Sequence, residues 1–233
     1  MPKQLRRAGQ NIRELALKRR IKGVCSFVGS GLVIFMPILL FKVFNDFMKQ
    51  IASNNSSQSQ ASLNMPPMLY LVTIIAALGL VVNGISLWKR ADRADQGAKG
   101  EEDISKELAQ LENDGWEIEY GMRLGNRLGD ADIVCISPQG KAYVIDVKSH
   151  KGEVIVEGEK LNRRMGKANY PFEKDFIKQV MKQALEVKKQ KSLKFVTPIL
   201  AFSEAKVFVP SNKLRNVYVV EKSSLISLLK TLG

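Results

Sequence analysis

The sequence predicts an α/β protein, a mixed sheet flanked by helices and preceded by two transmembrane α-helices. Three observations lead there. Two runs of about 20 residues are almost free of charge. The polar remainder alternates helix-like and strand-like periodicity. Within it, the strand VIDVKS places Asp146 and Lys148 on one side of a pleat whose interior positions favour apolar residues.

The first run, VCSFVGSGLVIFMPILLFKVF at 24–44, has Lys42 as its only charge, and the second, PMLYLVTIIAALGLVVNGISLW at 67–88, has none. Each is long enough for a helix to cross ~30 Å of hydrocarbon. Both are apolar all round, unlike the one-sided stripe of a helix lying on a soluble core. The first run is too long for a cleaved leader and lacks a small-residue cleavage site. The hairpin therefore occupies 23–89, with a polar loop at 45–66 rich in Ser, Asn and Gln that includes the sequon Asn55-Ser56-Ser57.

Charge sets the expected orientation. The net charge is +13, of which residues 1–22 supply +7. This basic arm and the Lys89, Arg90, Arg93 cluster flank the hairpin, whereas the loop carries only Lys49 and Asp46, so both termini are expected in the cytoplasm. The arm is expected to lie against anionic lipids, each Lys or Arg contributing about 1 kcal/mol. Cys25 and Cys135 suggest neither a disulfide nor a zinc site, and a reducing compartment follows.

A linker at 90–96 leads into a soluble domain at 97–233. From 100 to 113, Ile104, Leu108 and Leu111 recur on one helical face; Glu101 falls on that stripe and Glu102 does not. A short strand is expected at 116–120, then a Gly-rich loop, MRLGNRLGD. DADIVCIS and KAYVIDVKS flank PQG and read as a hairpin. If PQG is a three-residue loop, Ser137 faces Lys141, Asp132 lies opposite Asp146, and Asp130 opposite Lys148, with paired side chains roughly 5 Å apart on one face. EVIVE at 153–157 is a further strand, and the basic stretch 160–170 reads as a loop. Phe172, Phe176, Val180, Ala184 and Val187 mark an amphipathic helix over 171–189 with Pro171 in its first turn; Gln179 and Gln183 share one flank. Strands follow at 195–202, 206–209 and 217–220. Ser223 or Ser224 caps a last helix with Leu225, Leu228, Leu229 and Leu232 inward.

Opposed carboxylates raise each other's pKa unless something cationic lies between them. A divalent ion with oxygen ligands removes that penalty, and magnesium needs only one or two carboxylates besides water and phosphate oxygens. Lys148 would then orient a water and help neutralise charge developing at phosphorus. The competing reading is a strand-end ion pair between the aspartates and Lys148 or a nearby arginine. Asp130 reads as a turn residue and His150 as a solvated one. Serine-hydrolase, zinc and Walker patterns do not stand out.

At these residues the chain resembles a known group. G-D-A-D-I at 129–133 and D-V-K at 146–148, with thirteen residues between Asp132 and Asp146, resemble the PD-(D/E)XK nuclease core. G-A-K-G-E at 97–101, the run D-A-D-I-V-C-I-S-P-Q-G-K-A-Y-V-I-D-V-K-S-H-K-G at 130–152, and Gln179 in the next helix resemble its nuclease-related (NERD) branch. The resemblance covers most of 97–200 and none of the membrane hairpin. It implies a restriction-endonuclease-like sandwich and Mg²⁺- (or Mn²⁺-) dependent cleavage of DNA. It places Glu101, Asp132 and Asp146 as metal ligands, Lys148 beside them in the active site, and Gln179 in support. Two positions depart from the pattern: the acid before x-Lys is Asp rather than Glu, and Gly129 or Ala131 stands where the motif has proline.

Residues 97–159 sum to −7 and residues 160–194 to +8. A basic stretch beside an acidic pocket suits phosphate-backbone contact, with Arg163, Arg164, Lys167, Lys178 and Lys182 as the nucleic-acid-binding residues; a solvated lysine-rich helix is the alternative. The sequence thus points to a membrane-tethered nuclease acting on nucleic acid, DNA by resemblance. A non-catalytic nucleic-acid-binding or partner-docking module is the alternative. Substrate preference stays open, as does homo-oligomer formation.

Overall fold

The computed structural model describes residues 7–54, 66–125 and 128–233. The sequon at 55–57, the rest of the polar loop to 65, Arg127 and the first six residues of the basic arm lie outside them. The chain forms two units: Leu15–Arg93 is one, and the N-terminal stretch to Glu14 together with Ala94–Gly233 is the other.

The smaller unit is built from α1 (Gln10–Asn54) from Leu15 onward and the first part of α2 (Pro67–Asn113). Both helices contain windows apolar and long enough to cross a membrane, and the apolar window of α1 is wholly unburied. Leu32, Phe35, Leu40 and Val82 point outward, as lipid-facing side chains do. Between the helices Asn83 Nδ2 donates to Ser26 Oγ at 2.9 Å, satisfying two polar groups that hydrocarbon would leave bare. Residues 90–96, expected as a linker, lie inside α2. KRADRADQGAKG contains no proline and is rich in alanine and long charged residues, so nothing in it interrupts the backbone ladder.

The larger unit contains a mixed sheet. Its strands are β1 (Glu117–Arg123), β2 (Asp130–Ile136), β3 (Ala142–Glu157), β4 (Lys160–Met165), β5 (Ala168–Pro171), β6 (Val196–Phe208), β7 (Lys213–Leu214) and β8 (Val217–Glu221). The order is β1-β2-β3-β6-β8-β7, with β4 and β5 extending from β3. β3 pairs antiparallel with β2 and parallel with β6. Helix α3 (Phe176–Gln190) covers one face, through Ile177, Val180, Ala184 and Val187. The C-terminal part of α2 (Ile104, Leu108, Leu111) and α4 (Lys222–Leu232) cover the other. The sheet flanked by helices follows the expectation.

Several local expectations give way to longer pairing. EVIVE merges with the preceding strand into the 16-residue β3, and the two strands expected at 195–202 and 206–209 are one, β6, because β3 and β6 remain paired from Ala142↔Val196 to Ile155↔Phe208 across an irregularity between Lys148 and Lys151. The basic stretch 160–170 is not a loop but the β4–β5 hairpin; Arg164 pairs with Glu153 at 2.6 Å, and Asn162 and Asn169 both donate to Glu157. Cross-strand partners gave these polar residues a ladder that periodicity does not reveal. Pro171 ends β5 instead of opening a helix, and α3 is capped by Asp175, which accepts from the Lys178 N–H at 3.0 Å. Neither Ser223 nor Ser224 caps α4: Glu221 is its N-cap residue, without a side-chain cap, and Ser223 Oγ donates to the Glu221 carboxylate.

Gly100 explains one glycine of G-A-K-G-E. A Cβ there would lie 2.7 Å from Ser203 Oγ and 3.0 Å from Ser149 Cβ, so α2 approaches the sheet at this turn only because no side chain intervenes. Gly100→Ala is expected to destabilise the domain by roughly 1–3 kcal/mol through overpacking, despite alanine's better helix propensity. Thermal or chemical denaturation reads this; a more stable variant would show that the contact yields freely.

Candidate active site

The hairpin of β2 and β3 has the register expected from a three-residue loop. Ser137 N–H donates to Lys141 O at 2.9 Å, and pairs run from Ile136↔Ala142 to Ile133↔Ile145. There the ladder ends, although β2 continues along β1 as far as Arg123↔Asp130. Just beyond the last pair Val147 N–H donates to the side chain of Asp132, at 2.7 Å from Oδ2. A carboxylate has replaced the carbonyl that would continue the ladder.

Along β3 the side chains alternate. Ala142 and Val144 belong to the α3-facing core, while Tyr143, Ile145 and Val147 face α2 and α4. Asp146 continues the α3-facing row and is 1% exposed. Its Oδ1 accepts from Gln179 Nε2 at 3.1 Å, and its Oδ2 lies 2.5 Å from Lys148 Nζ. Lys148 Nζ also sits 5.0 Å from the ring centroid of Phe176, a cation–π contact that holds the ammonium at the base of α3. Glu101, 8% exposed, comes from α2 and accepts from the Gly9 backbone N–H at 3.0 Å.

These groups lie close enough to perturb one another. Burial first, then the neighbouring Asp146, raise Glu101, opposed by the Gly9 N–H and Lys148; its carboxyl is pushed up to about 7. Burial pushes Asp132 well above the usual carboxylate range, with Asp146 and Glu101 adding to the effect. Asp146 is also raised by burial, against the pull of Lys148 and Gln183. Three buried acids facing one ammonium hold more negative charge than the protein itself neutralises.

Other sequence candidates fall in different places. Asp130 is not a turn residue but the first of β2, its Oδ2 accepting from Asn11 Nδ2 at 2.7 Å. His150 is half-buried rather than fully solvated: its ring packs 5.1 Å from Phe172 and 5.5 Å from Phe176, its Nδ1 is buried, and burial, Arg163 and Lys148 push its pKa down. Lys167, Lys178 and Lys182 are exposed. Arg163 and Arg164 are adjacent on β4, so strand alternation separates them: Arg163 Nε donates to Lys151 O, and Arg164 is tied to Glu153 and lies 6.0 Å from the Phe208 ring. The five residues therefore do not make one uniform cationic strip.

Three contributors escaped the sequence. Gln183, placed by the sequence only on one helix flank with Gln179, is 2% exposed and donates to Asp130 O at 3.3 Å; its i+4 spacing from Gln179 was the available signal. Gly9 and Asn11 carried no signal, lying 92 and 119 residues from their partners.

Residues 96–203 match the family model of the nuclease-related domain, NERD. This part of the chain is a NERD domain. No curated protein and no solved structure matches the chain. The NERD match takes in Glu101, Asp132, Asp146, Lys148 and Gln179, and ends just after the first half of β6. Nuclease domains of this kind usually use divalent metals. Among the described residues no three His, Cys, Asp or Glu side chains converge tightly enough to hold an ion unaided. The donor set of the NERD domain nonetheless fits a hard cation: the donors are all carboxylate oxygens, and the second oxygens of Glu101 and Asp132 accept no hydrogen bond among the described residues.

Proposed function

We propose that the chain is a membrane-anchored, Mg²⁺- or Mn²⁺-dependent nuclease that hydrolyses phosphodiester bonds of DNA, with its catalytic domain and both termini in the cytoplasm. The observation that carries this reading is the buried trio Glu101, Asp132 and Asp146 beside Lys148 inside a nuclease-related domain. The two apolar helices supply the anchor, and the lysines and arginines flanking them the orientation.

Glu101, Asp132 and Asp146 would hold the ion. When bound, it supplies positive charge that offsets the negative charge developing on the phosphate. The chain's own groups do the positioning. Gln179 and Lys148 fix the two oxygens of Asp146, and the Val147 N–H fixes Asp132. The Lys148 ammonium, 14% exposed, keeps a path to solvent, so it orients the attacking water and stabilises the phosphate oxygens. Lys167, Lys178 and Lys182 contact the nucleic-acid backbone without reading sequence.

The test is cleavage by the full chain in detergent, on linear, nicked and single-stranded DNA, with Mg²⁺, Mn²⁺ or EDTA. Metal-dependent cleavage lost in Asp132→Ala is expected. Binding without turnover on every substrate would favour a docking module. Lys178→Glu/Lys182→Glu is expected to weaken DNA binding about equally for unrelated sequences and to flatten its salt dependence; gel shift at several salt concentrations measures both.

A further inference from the structure

We propose that residues 9–13 are a built-in part of the active site, a positioning segment that holds Glu101 and the start of β2 in place. This rests on the nuclease reading above and extends it to residues outside the NERD match, which begins at residue 96.

Three side-by-side contacts carry it. The Gly9 N–H donates to Glu101 Oε2 at 3.0 Å in a buried setting. Asn11 Nδ2 donates to Asp130 Oδ2 at 2.7 Å, at the first residue of the strand that bears Asp132. Arg13 grips Glu102 with two N–H groups, Nη2 lying 2.7 Å from Oε2 and Nε bonding Oε1. The fit at Gly9 is specific. Its φ is +72°, and a Cβ would lie 2.8 Å from the carbonyl oxygen of Ala98, a fully buried residue of G-A-K-G-E. Glycine meets both conditions, and an L-residue with a side chain meets neither.

The chemistry distinguishes a support from a plug. A segment that blocked the site would place its cations on the acids that bind metal. Here the arginine pairs instead with Glu102, which lies off the inward stripe, and Glu101 receives only a neutral N–H on one oxygen. That bond fixes the carboxylate without cancelling its charge, as a hydrogen-bond donor on the far oxygen of a metal ligand does. The expectation that the whole basic arm rests on lipid headgroups is therefore replaced, for Gly9, Asn11 and Arg13, by contacts within the soluble unit.

The full chain in detergent tests this with Arg13→Glu, which sets two acids against each other, Asn11→Ala, and the charge exchange Arg13→Glu/Glu102→Arg. Three readouts are taken: amide hydrogen exchange over residues 99–103, Mn²⁺ binding without DNA, and DNA cleavage. Arg13→Glu is expected to speed exchange, weaken Mn²⁺ binding roughly 10-fold and lower cleavage, and the charge exchange to restore all three. Asn11→Ala is expected to act in the same direction, more weakly. Arg13→Glu with higher cleavage would make the segment a cover and overturn the proposal. Faster exchange with unchanged Mn²⁺ affinity would reduce it to a fold contact, which also overturns it. If the wild type cleaves no DNA while Arg13→Glu still changes exchange and Mn²⁺ binding, the segment stands and the nuclease reading falls.

Discussion

Lys148→Ala is expected to reduce DNA cleavage by roughly 100- to 1000-fold, the usual loss when a preorganised group stabilising transition-state charge is removed. It is also expected to destabilise the domain. Asp146 is almost fully buried, and Lys148 supplies the only cation touching it among the described residues. Removing one partner of a buried pair costs about 3–5 kcal/mol when the other stays charged. Asp146 can escape part of that by taking a proton, since burial already raises its pKa. The double variant Asp146→Asn/Lys148→Met separates the two effects. It removes both charges together, so stability is expected to recover while cleavage stays absent. Thermal denaturation in detergent beside a cleavage assay reads both. A Lys148→Ala protein that cuts at the wild-type rate would make the lysine a structural counterion and nothing more.

Glu101→Gln is expected to change the pH dependence of stability. In the unfolded chain this carboxyl titrates near its ordinary value of 4.5, and in the fold near 7. Between those values the folded protein binds more protons than the unfolded one. The stability Glu101 contributes is therefore greatest below about 4.5 and is lost as pH rises through 7, the sign opposite to that of a salt-bridged carboxylate. Asp132 and Asp146, raised for the same reason, contribute in the same direction. Glutamine cannot ionise, so in EDTA the variant is expected to be flatter with pH and more stable than wild type above pH 7. Added Mg²⁺ is expected to restore the wild type by replacing protons with a cation, and to help the variant less. Melting temperatures from pH 4.5 to 8, with and without Mg²⁺, measure this. A difference between wild type and Glu101→Gln that stays constant over that range in EDTA would show that the Glu101 carboxyl is not raised in the fold.

How far the site was legible varies residue by residue. The register of the β2–β3 hairpin followed from one turn, because PQG left little choice in how Ser137 and Lys141 meet, and a pleat repeats every two residues. Glu101 was legible because it lies three positions before Ile104 on a helix with an apolar stripe. The β4–β5 hairpin was not: its strands are held by pairs such as Arg164 with Glu153, and polar cross-strand pairs leave no apolar alternation. His150 looked like an exposed strand end because nothing local announces that Phe172 and Phe176 close over it.

By itself the sequence determined the apolar helices, the mixed helix and strand content of residues 97–233, and the acids and lysine brought to one hairpin, since each depends on composition or on spacing within a single element. The tertiary structure alone decided that β2 and β3 part beyond Ile133↔Ile145, that Asp132 takes the Val147 N–H in the gap, and that Gly9 reaches Glu101. Those contacts join groups that no helical or strand period relates. They form because a buried carboxylate must find a donor, wherever in the chain that donor lies.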